Sequence, residues 1–167
     1  DATQVVLGKV ESAHLARVLR LRPGTRVRVF DGRGSERNAL VTTARPNAAE
    51  LALLDGVDAA AEAHVDLVLG VGLLKADKFD AVLRDAVMLG VAAVQPLVTT
   101  RCDVPAAAIA AGARRERWHR IAVSASKQSG RAVVPVIREP ATLAGCLDAD
   151  DSPVRLLLAE PSVAGTD

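Results

Sequence analysis

The sequence predicts two small domains, a β-rich domain over residues 1–60 and an α/β domain over residues 61–167. Short alternating segments and one helix fill the first third of the chain. After residue 64, apolar strands alternate with helices, which indicates a layer built on a parallel sheet. The polar, alanine-rich stretch 55–64 lies between these two patterns, and we interpret it as a linker that contains the domain boundary.

The N-terminal domain is predicted to hold four short strands, at residues 4–8, 26–30, 36–43 and 50–54. The second of them alternates arginine with valine, as a half-buried strand does. Residues 31–34 (DGRG) supply the turn to the next strand. Several short strands beside one helix favour a small barrel-like β domain.

One helix is predicted within this domain, over residues 11–20. Leu15, Val18 and Leu19 stand at positions i, i+3 and i+4, which predicts one buried apolar stripe. Arg17 and Arg20 then lie on the opposite, outer face together with His14. A Pro-Gly turn at 23–24 ends the helix.

In the second domain we predict strands at 65–71, 91–98 and 154–159, the last of them buried, and helices at 77–89 and 114–129. Asp77 is placed to cap the first helix, and Gly90 to end it. The expected core faces are aliphatic, with Phe79 on the first helix and Trp118 on the second. Together with Phe30, these are all the aromatic residues of the chain.

No metal, membrane or secretory signal is found in this sequence. Cys102 and Cys146 fit no metal or redox spacing, and the three histidines lie in different predicted elements. No apolar run is long enough to cross a bilayer, and no cleavable leader opens the sequence. We therefore expect a reduced, cytoplasmic protein that holds no metal.

Positive charge is concentrated in two stretches, although the net charge is only +1. Seven arginines lie between Arg17 and Arg37, and residues 114–131 carry six basic side chains against one acidic one. Such clustering favours an anionic partner such as RNA, because arginine can grip phosphate with two hydrogen bonds. A solvated polar helix face is the alternative interpretation.

A glycine-rich segment, residues 70–75 (GVGLLK), invites comparison with nucleotide-binding loops. It lacks the third glycine of a dinucleotide fingerprint and the Gly-Lys-Ser/Thr of a Walker loop. A small-molecule α/β enzyme that uses this loop remains open as a minor alternative. Because binding through several phosphates weakens steeply with salt, salt-insensitive function would favour that alternative.

The order of these segments resembles the RsmE family of the SPOUT class of methyltransferases. Four stretches carry the resemblance along nearly the whole chain. They are HLARVLR at 14–20 with Pro23-Gly24, VFDG at 29–32, the segment 75–101 centred on LGV at 89–91 and Pro96-Leu97, and RWHRIA at 117–122 running on to QSGR at 128–131 and Val134-Pro135.

The resemblance implies a PUA-like RNA-binding β-barrel followed by an α/β SPOUT domain with a trefoil knot. It also implies a homodimer that uses S-adenosylmethionine to methylate uridine N3 in 16S ribosomal RNA of the small subunit. Leu158, Ala159 and Glu160 are the residues expected near this donor, and no catalytic base is identified. The residues expected to face RNA are Arg17, Arg20, Arg22, Arg120, Lys127 and Arg131.

The family's donor pocket is built from a Gly-Pro-Glu-Gly-Gly loop and a later Leu-Gly-x-Arg-x-Leu-Arg-x-Glu-Thr segment. Neither motif occurs in the 167 residues. We therefore expect an incomplete knot domain, and little donor binding by this polypeptide alone. A non-catalytic RNA-binding module with a degenerate methyltransferase domain is the alternative function.

Overall fold

The computed structural model describes residues 3–75, 77–102 and 112–158, which form two sheets with separate hydrophobic cores. The first sheet has four antiparallel strands in the order β1-β4-β3-β2. The second is parallel, with the order β5-β6-β7, and a short strand β8 also pairs with β6. The predicted change from a β-rich to an α/β pattern is confirmed.

The N-terminal sheet is built from β1 (Gln4–Val6), β2 (Arg26–Phe30), β3 (Glu36–Arg45) and β4 (Ala48–Val57). All four predicted strands are present, and β4 extends into the stretch interpreted as a linker. Within the described residues the hydrogen-bonded path ends at β1 and β2 without closing into a ring. The core of this sheet is aliphatic and consists of Leu15, Ala39, Val41, Ala49 and Leu51.

The helix beside this sheet differs from the regular helix that the sequence predicts. An α-helical turn, α1 (Lys9–Ala13), passes into a π-helical turn over His14–Val18, where Leu19 N donates to His14 O at 3.0 Å. A π-turn shifts the side chains that follow it off the 3.6-residue stripe. Leu15 is therefore buried as predicted, whereas the predicted burial of Val18 and Leu19 is wrong.

The second sheet contains β5 (Val68–Gly72), β6 (Ala93–Val98), β7 (Val136–Ile137) and β8 (Ala141–Thr142). Three helices accompany it: α2 (Lys78–Met88), α3 (Gly112–Ser129) and the short α4 (Leu143–Asp148). α2 and α3 pack against each other and share one core with β5 and β6. At its centre the rings of Phe79 and Trp118 lie 4.7 Å apart between centroids.

One proline, Pro140, explains why the partner of β6 is split into β7 and β8. Pro140 has no N–H to donate to the sheet, and it lies between the two short strands. The buried side chain of Gln95 replaces the lost bonds, because its Nε2 donates to Pro96 O at 3.0 Å and to Glu139 O at 2.6 Å. The backbone carbonyls at the break are thereby satisfied.

The boundaries of α2 agree with the sequence. Asp77 holds the N-cap position, although its side chain makes no capping hydrogen bond. Gly90 ends the helix with φ +97°, a conformation that glycine adopts without strain. The minor alternative of a nucleotide-binding loop at 70–75 gains no support, because Gly70 and Gly72 lie inside β5.

The prediction of a buried strand at 154–159 is wrong for residues 154–158, the part of it that the structure describes. This segment pairs with no strand of the described chain, and Leu158 is 97% exposed. The apolar run of leucines predicted burial, but burial also requires a neighbouring surface, and the described residues supply none.

A turn of the first domain is docked on the second domain. Gly34 N donates to Ala132 O at 3.1 Å, and Val134 N donates to Gly32 O at 3.0 Å. Asp31 shapes the turn, because its Oδ1 accepts hydrogen bonds from the backbone N–H groups of residues 33 and 35, at 2.7 and 3.1 Å. These two donors, with Arg33 N the stronger influence, lower the pKa of the Asp31 carboxyl below its ordinary value.

Arg131, just before the docked segment, is buried and fastens three parts of the chain together. Its Nη1 donates to Val87 O at 2.7 Å, and its Nη2 donates to Val91 O at 3.1 Å. Its Nε donates to Glu62 Oε2 at 2.9 Å, which makes an ion pair with the interdomain stretch. The guanidinium thus joins the end of α2, the segment that leads into β6 and the connection between the domains.

We predict that Asp31→Ala lowers the thermal midpoint of unfolding at neutral pH. Since the folded-state pKa lies below the unfolded one, the stabilisation is complete above the unfolded pKa of about 4 and is lost as pH falls through the folded-state value. The difference in thermal midpoint between wild type and Asp31→Ala therefore becomes smaller under acid conditions. Asp31→Asn keeps an acceptor oxygen without the charge, and serves as the control. A difference in thermal midpoint that stays constant from pH 3 to pH 7 would contradict the stabilising role of the Asp31 carboxylate.

For Arg131→Ala we expect a loss of about 2–4 kcal/mol in the free energy of unfolding, because Glu62 and two backbone carbonyls lose their donors. Chemical denaturation measures the loss. Arg138→Ala is the matched control, since Arg138 is exposed and its removal should change stability by no more than about 0.5 kcal/mol. Equal losses in the two variants would refute the structural role of Arg131.

Candidate nucleic-acid interface

The first basic cluster lies where the sequence predicts it, on the outer surface of the N-terminal domain. Arg17, Arg20 and Arg22 are all exposed. Arg20 has a positive φ of 52°, so the chain turns sharply directly after the π-helical turn. The chain therefore leaves the helix before Arg22, whereas Arg17 lies within the helical turn. A strained non-glycine residue of this kind is itself a pointer to a constrained functional segment.

The second basic cluster follows the long helix α3. Arg120 is exposed, and its Nε donates to Glu116 O at 3.3 Å. Lys127, in the last turn of α3, forms an ion pair with Glu11 of α1. This contact joins the two basic segments, because α1 leads directly into the helical turn that carries Arg17. Lys127 therefore also has a structural partner, which the sequence did not reveal.

The expectation that Arg131 faces outward with this cluster is wrong. The residue is only 9% exposed, and its guanidinium is directed towards Glu62 and two backbone carbonyls. Its five donors are the reason that arginine suits this buried position. Arg131 therefore does not contribute to the exposed basic surface.

The structure adds Asp80 and Arg84 of α2 to the basic face that the sequence predicts on α3. A shallow cleft of about 520 Å³ runs between α2 and α3. Positive side chains from both helices dominate its lining, which is formed by Asp80, Arg84, Arg117, Arg120, Ile121 and Ser124. The four lining residues of α3 are spaced i, i+3, i+4 and i+7, so one helix face carries them. The two lining residues of α2 are likewise four apart, but only tertiary packing shows that the two faces meet.

The residues expected near a methyl donor are not assembled into a site in the described structure. Leu158 is almost fully exposed, while Ala159 and Glu160 lie outside the described residues. An apolar groove of about 550 Å³ lies elsewhere, along β5 and the end of α2. Its only charged lining residue is Asp85, so it offers little to hold a polar, charged donor.

The histidines and cysteines of the described residues are not gathered into a cluster. His14, His64 and His119 are exposed, as the sequence predicts for His14. Cys102 and Cys146 are free thiols. Among the described residues no group of three or more His, Cys, Asp or Glu side chains is placed to hold a metal ion. No helix in the same residues is long and apolar enough to cross a membrane.

Comparison with known proteins agrees with this arrangement. A family model described as an RNA methyltransferase domain matches residues 61–165. A second, described as an RNA methyltransferase PUA domain, matches residues 10–54. The ribosomal RNA small subunit methyltransferase E of Synechocystis sp. is 30% identical over 154 residues, which are 92% of this chain. The chain spans about half the length of that relative, at 49%.

Solved structures show the same fold. Ribosomal RNA small subunit methyltransferase E from Neisseria gonorrhoeae, bound to S-adenosyl methionine, has a TM-score of 0.84 and 32% identity. That comparison covers 90% of this chain and 62% of the other. A methyltransferase from Legionella pneumophila, also solved with this cofactor, has a TM-score of 0.91 at 22% identity, over 98% and 67% of the two chains.

The resemblance to the RsmE family is therefore confirmed, and the two-domain fold is that of a PUA-like domain joined to a SPOUT-like methyltransferase domain. With a family model matched over most of its length, this chain belongs to the RNA methyltransferase domain family.

Proposed function

We propose that the protein takes part in S-adenosylmethionine-dependent methylation of uridine N3 in 16S ribosomal RNA. The observation that carries this proposal is the match of the α/β domain, in sequence and fold, to ribosomal RNA small subunit methyltransferases. The exposed arginines on both domains supply the positive surface that an RNA substrate needs. We further propose a cytoplasmic homodimer that holds no metal, as the family resemblance implies.

The RNA would lie across the basic segments of both domains. The N-terminal contribution is Arg17, Arg20 and Arg22, and the C-terminal contribution is Arg120 with Lys127. The Lys127–Glu11 ion pair and the docked turn at residues 31–34 hold the two segments in a fixed relation. A pre-arranged surface loses less entropy when it binds RNA, because fewer groups become ordered at that moment.

The described residues do not fit the methyl donor by themselves. S-adenosylmethionine carries an adenine, a carboxylate and a sulfonium centre, and recognition requires several converging polar groups. The exposed Leu158 and the apolar groove beside β5 provide no such set. We therefore assign no reaction step to the donor or to a base, and we propose only that Leu158, Ala159 and Glu160 belong to the segment that approaches it.

One observation favours a second candidate, a non-catalytic RNA-binding module. The basic surface is present in the described structure, whereas a donor pocket is not assembled there. RNA binding without methyl transfer would then be the activity of this polypeptide. The two candidates differ in a measurable property, the binding of S-adenosylmethionine.

We expect the product of the complete gene to bind S-adenosylmethionine and this 167-residue chain to bind it weakly or not at all, because its described residues assemble no donor pocket. Isothermal titration of the donor into each protein measures the difference. In parallel, unmethylated 16S ribosomal RNA is incubated with each protein and donor. Methylation at N3 blocks the pairing edge of uridine, so it is detected as a stop in primer extension.

Donor binding with an N3-methyl product would support the enzyme. RNA binding by the complete product without donor binding would leave the non-catalytic module and refute methyl transfer. Donor binding to the 167-residue chain as strong as to the complete product would show that the donor pocket lies within these residues, and that its placement here is wrong.

A further inference from the structure

The cleft between α2 and α3 combines a buried acid with several outward-facing arginines. Asp80 is only 6% exposed, and it makes an ion pair with Arg117 of the facing helix. The Arg117 side chain is itself 57% exposed. A guanidinium has five donors, so an arginine held on one side by a carboxylate retains donors for a second partner.

Two further guanidinium groups line the same cleft. Arg84 extends from α2, one turn beyond Asp80, and Arg120 extends from α3, one turn beyond Arg117. Both are exposed, and neither makes an ion pair within the described part of the chain. Like charges gathered in one cleft repel each other, so an arrangement of this kind is stabilised by a bound anion.

The charges in the cleft leave a clear positive excess. Three arginines line it against one carboxylate, and that carboxylate is already paired. The exposed Ser124 adds a hydroxyl that can donate to an oxygen anion, and the half-buried Ile121 provides an apolar surface for the arginine stems. Tetrahedral phosphate matches this set, because planar guanidinium groups bind its oxygens in pairs.

Within the function proposed above, we propose that this cleft binds one backbone phosphate of the RNA, contacted by Arg84, Arg117 and Arg120. Asp80 acts as a positioning residue, since its ion pair fixes the direction of the Arg117 guanidinium before RNA arrives. Phosphate contacts set the position of a nucleic acid without reading its sequence. The cleft therefore fixes where the RNA strand crosses the α/β domain, rather than which base is selected.

The test compares RNA affinity among variants of the complete gene product. Arg84→Gln and Arg120→Gln remove one charge each from the cleft, and both residues are exposed, so folding should be preserved. Arg115→Gln is the matched control, because Arg115 also lies exposed on α3 but pairs with Glu139 away from the cleft. Thermal unfolding of each variant verifies that the fold is intact.

We expect each cleft variant to bind a 16S ribosomal RNA transcript roughly tenfold more weakly than wild type, as the loss of one charge-assisted contact implies. A variant that combines Arg84→Gln with Arg120→Gln should also reduce the slope of log affinity against log salt by about one, since one phosphate contact is lost. The control should match wild type in both affinity and slope.

If the cleft variants have the same RNA affinities and salt slopes as Arg115→Gln, the assignment of the cleft as a phosphate site is overturned. RNA binding and methylation by the wild-type protein would in that case still support the proposed function. Failure of wild type itself to bind the transcript would refute the proposed function as well. Variants that bind the naked transcript normally but lose the assembled small subunit would show that the cleft contacts protein, and would also overturn the phosphate assignment.

Discussion

The buried guanidinium of Arg131 is the interaction on which the arrangement of this protein depends. Arg131 lies two residues after the end of α3, and it donates to carbonyls at the end of α2 and in the segment that leads into β6. Its ion pair with Glu62 extends the same contact to the connection between the domains. Because breaking such a buried pair leaves unsatisfied polar groups behind, the three chain segments are held in one geometry.

The docking of the two domains follows directly from that geometry. The residues after Arg131 form the backbone segment on which Gly32 and Gly34 of the N-terminal turn are docked. Both glycines have positive φ, and a Cβ at Gly32 would lie only 3.3 Å from a methyl carbon of Val134. These glycines therefore allow the two domains to approach closely, in addition to reversing the chain between β2 and β3.

This arrangement places positive charge from both domains beside helix α3. The ion pair between Lys127 and Glu11 brings α1 to the end of that helix, and the cleft lined by Arg84 and Arg120 lies farther towards its start. A surface assembled from several elements binds an extended anion with little reorganisation. The same helix buries Trp118 in the domain core, so the fold and the basic surface share one amphipathic element.

Hydrophobic periodicity alone determined most elements and the two-domain order, because each strand or helix is specified by residues adjacent in sequence. It failed at Val18 and Leu19, where a π-turn changed the helical phase, and at the leucines of 154–158, whose burial depends on a surface outside the segment. Tertiary structure alone decided that Arg131 is buried and that α2 contributes to the basic cleft. A buried arginine and an exposed one can have the same kind of neighbours in sequence. Contacts with distant parts of the chain determine whether the side chain binds a carbonyl or faces solvent.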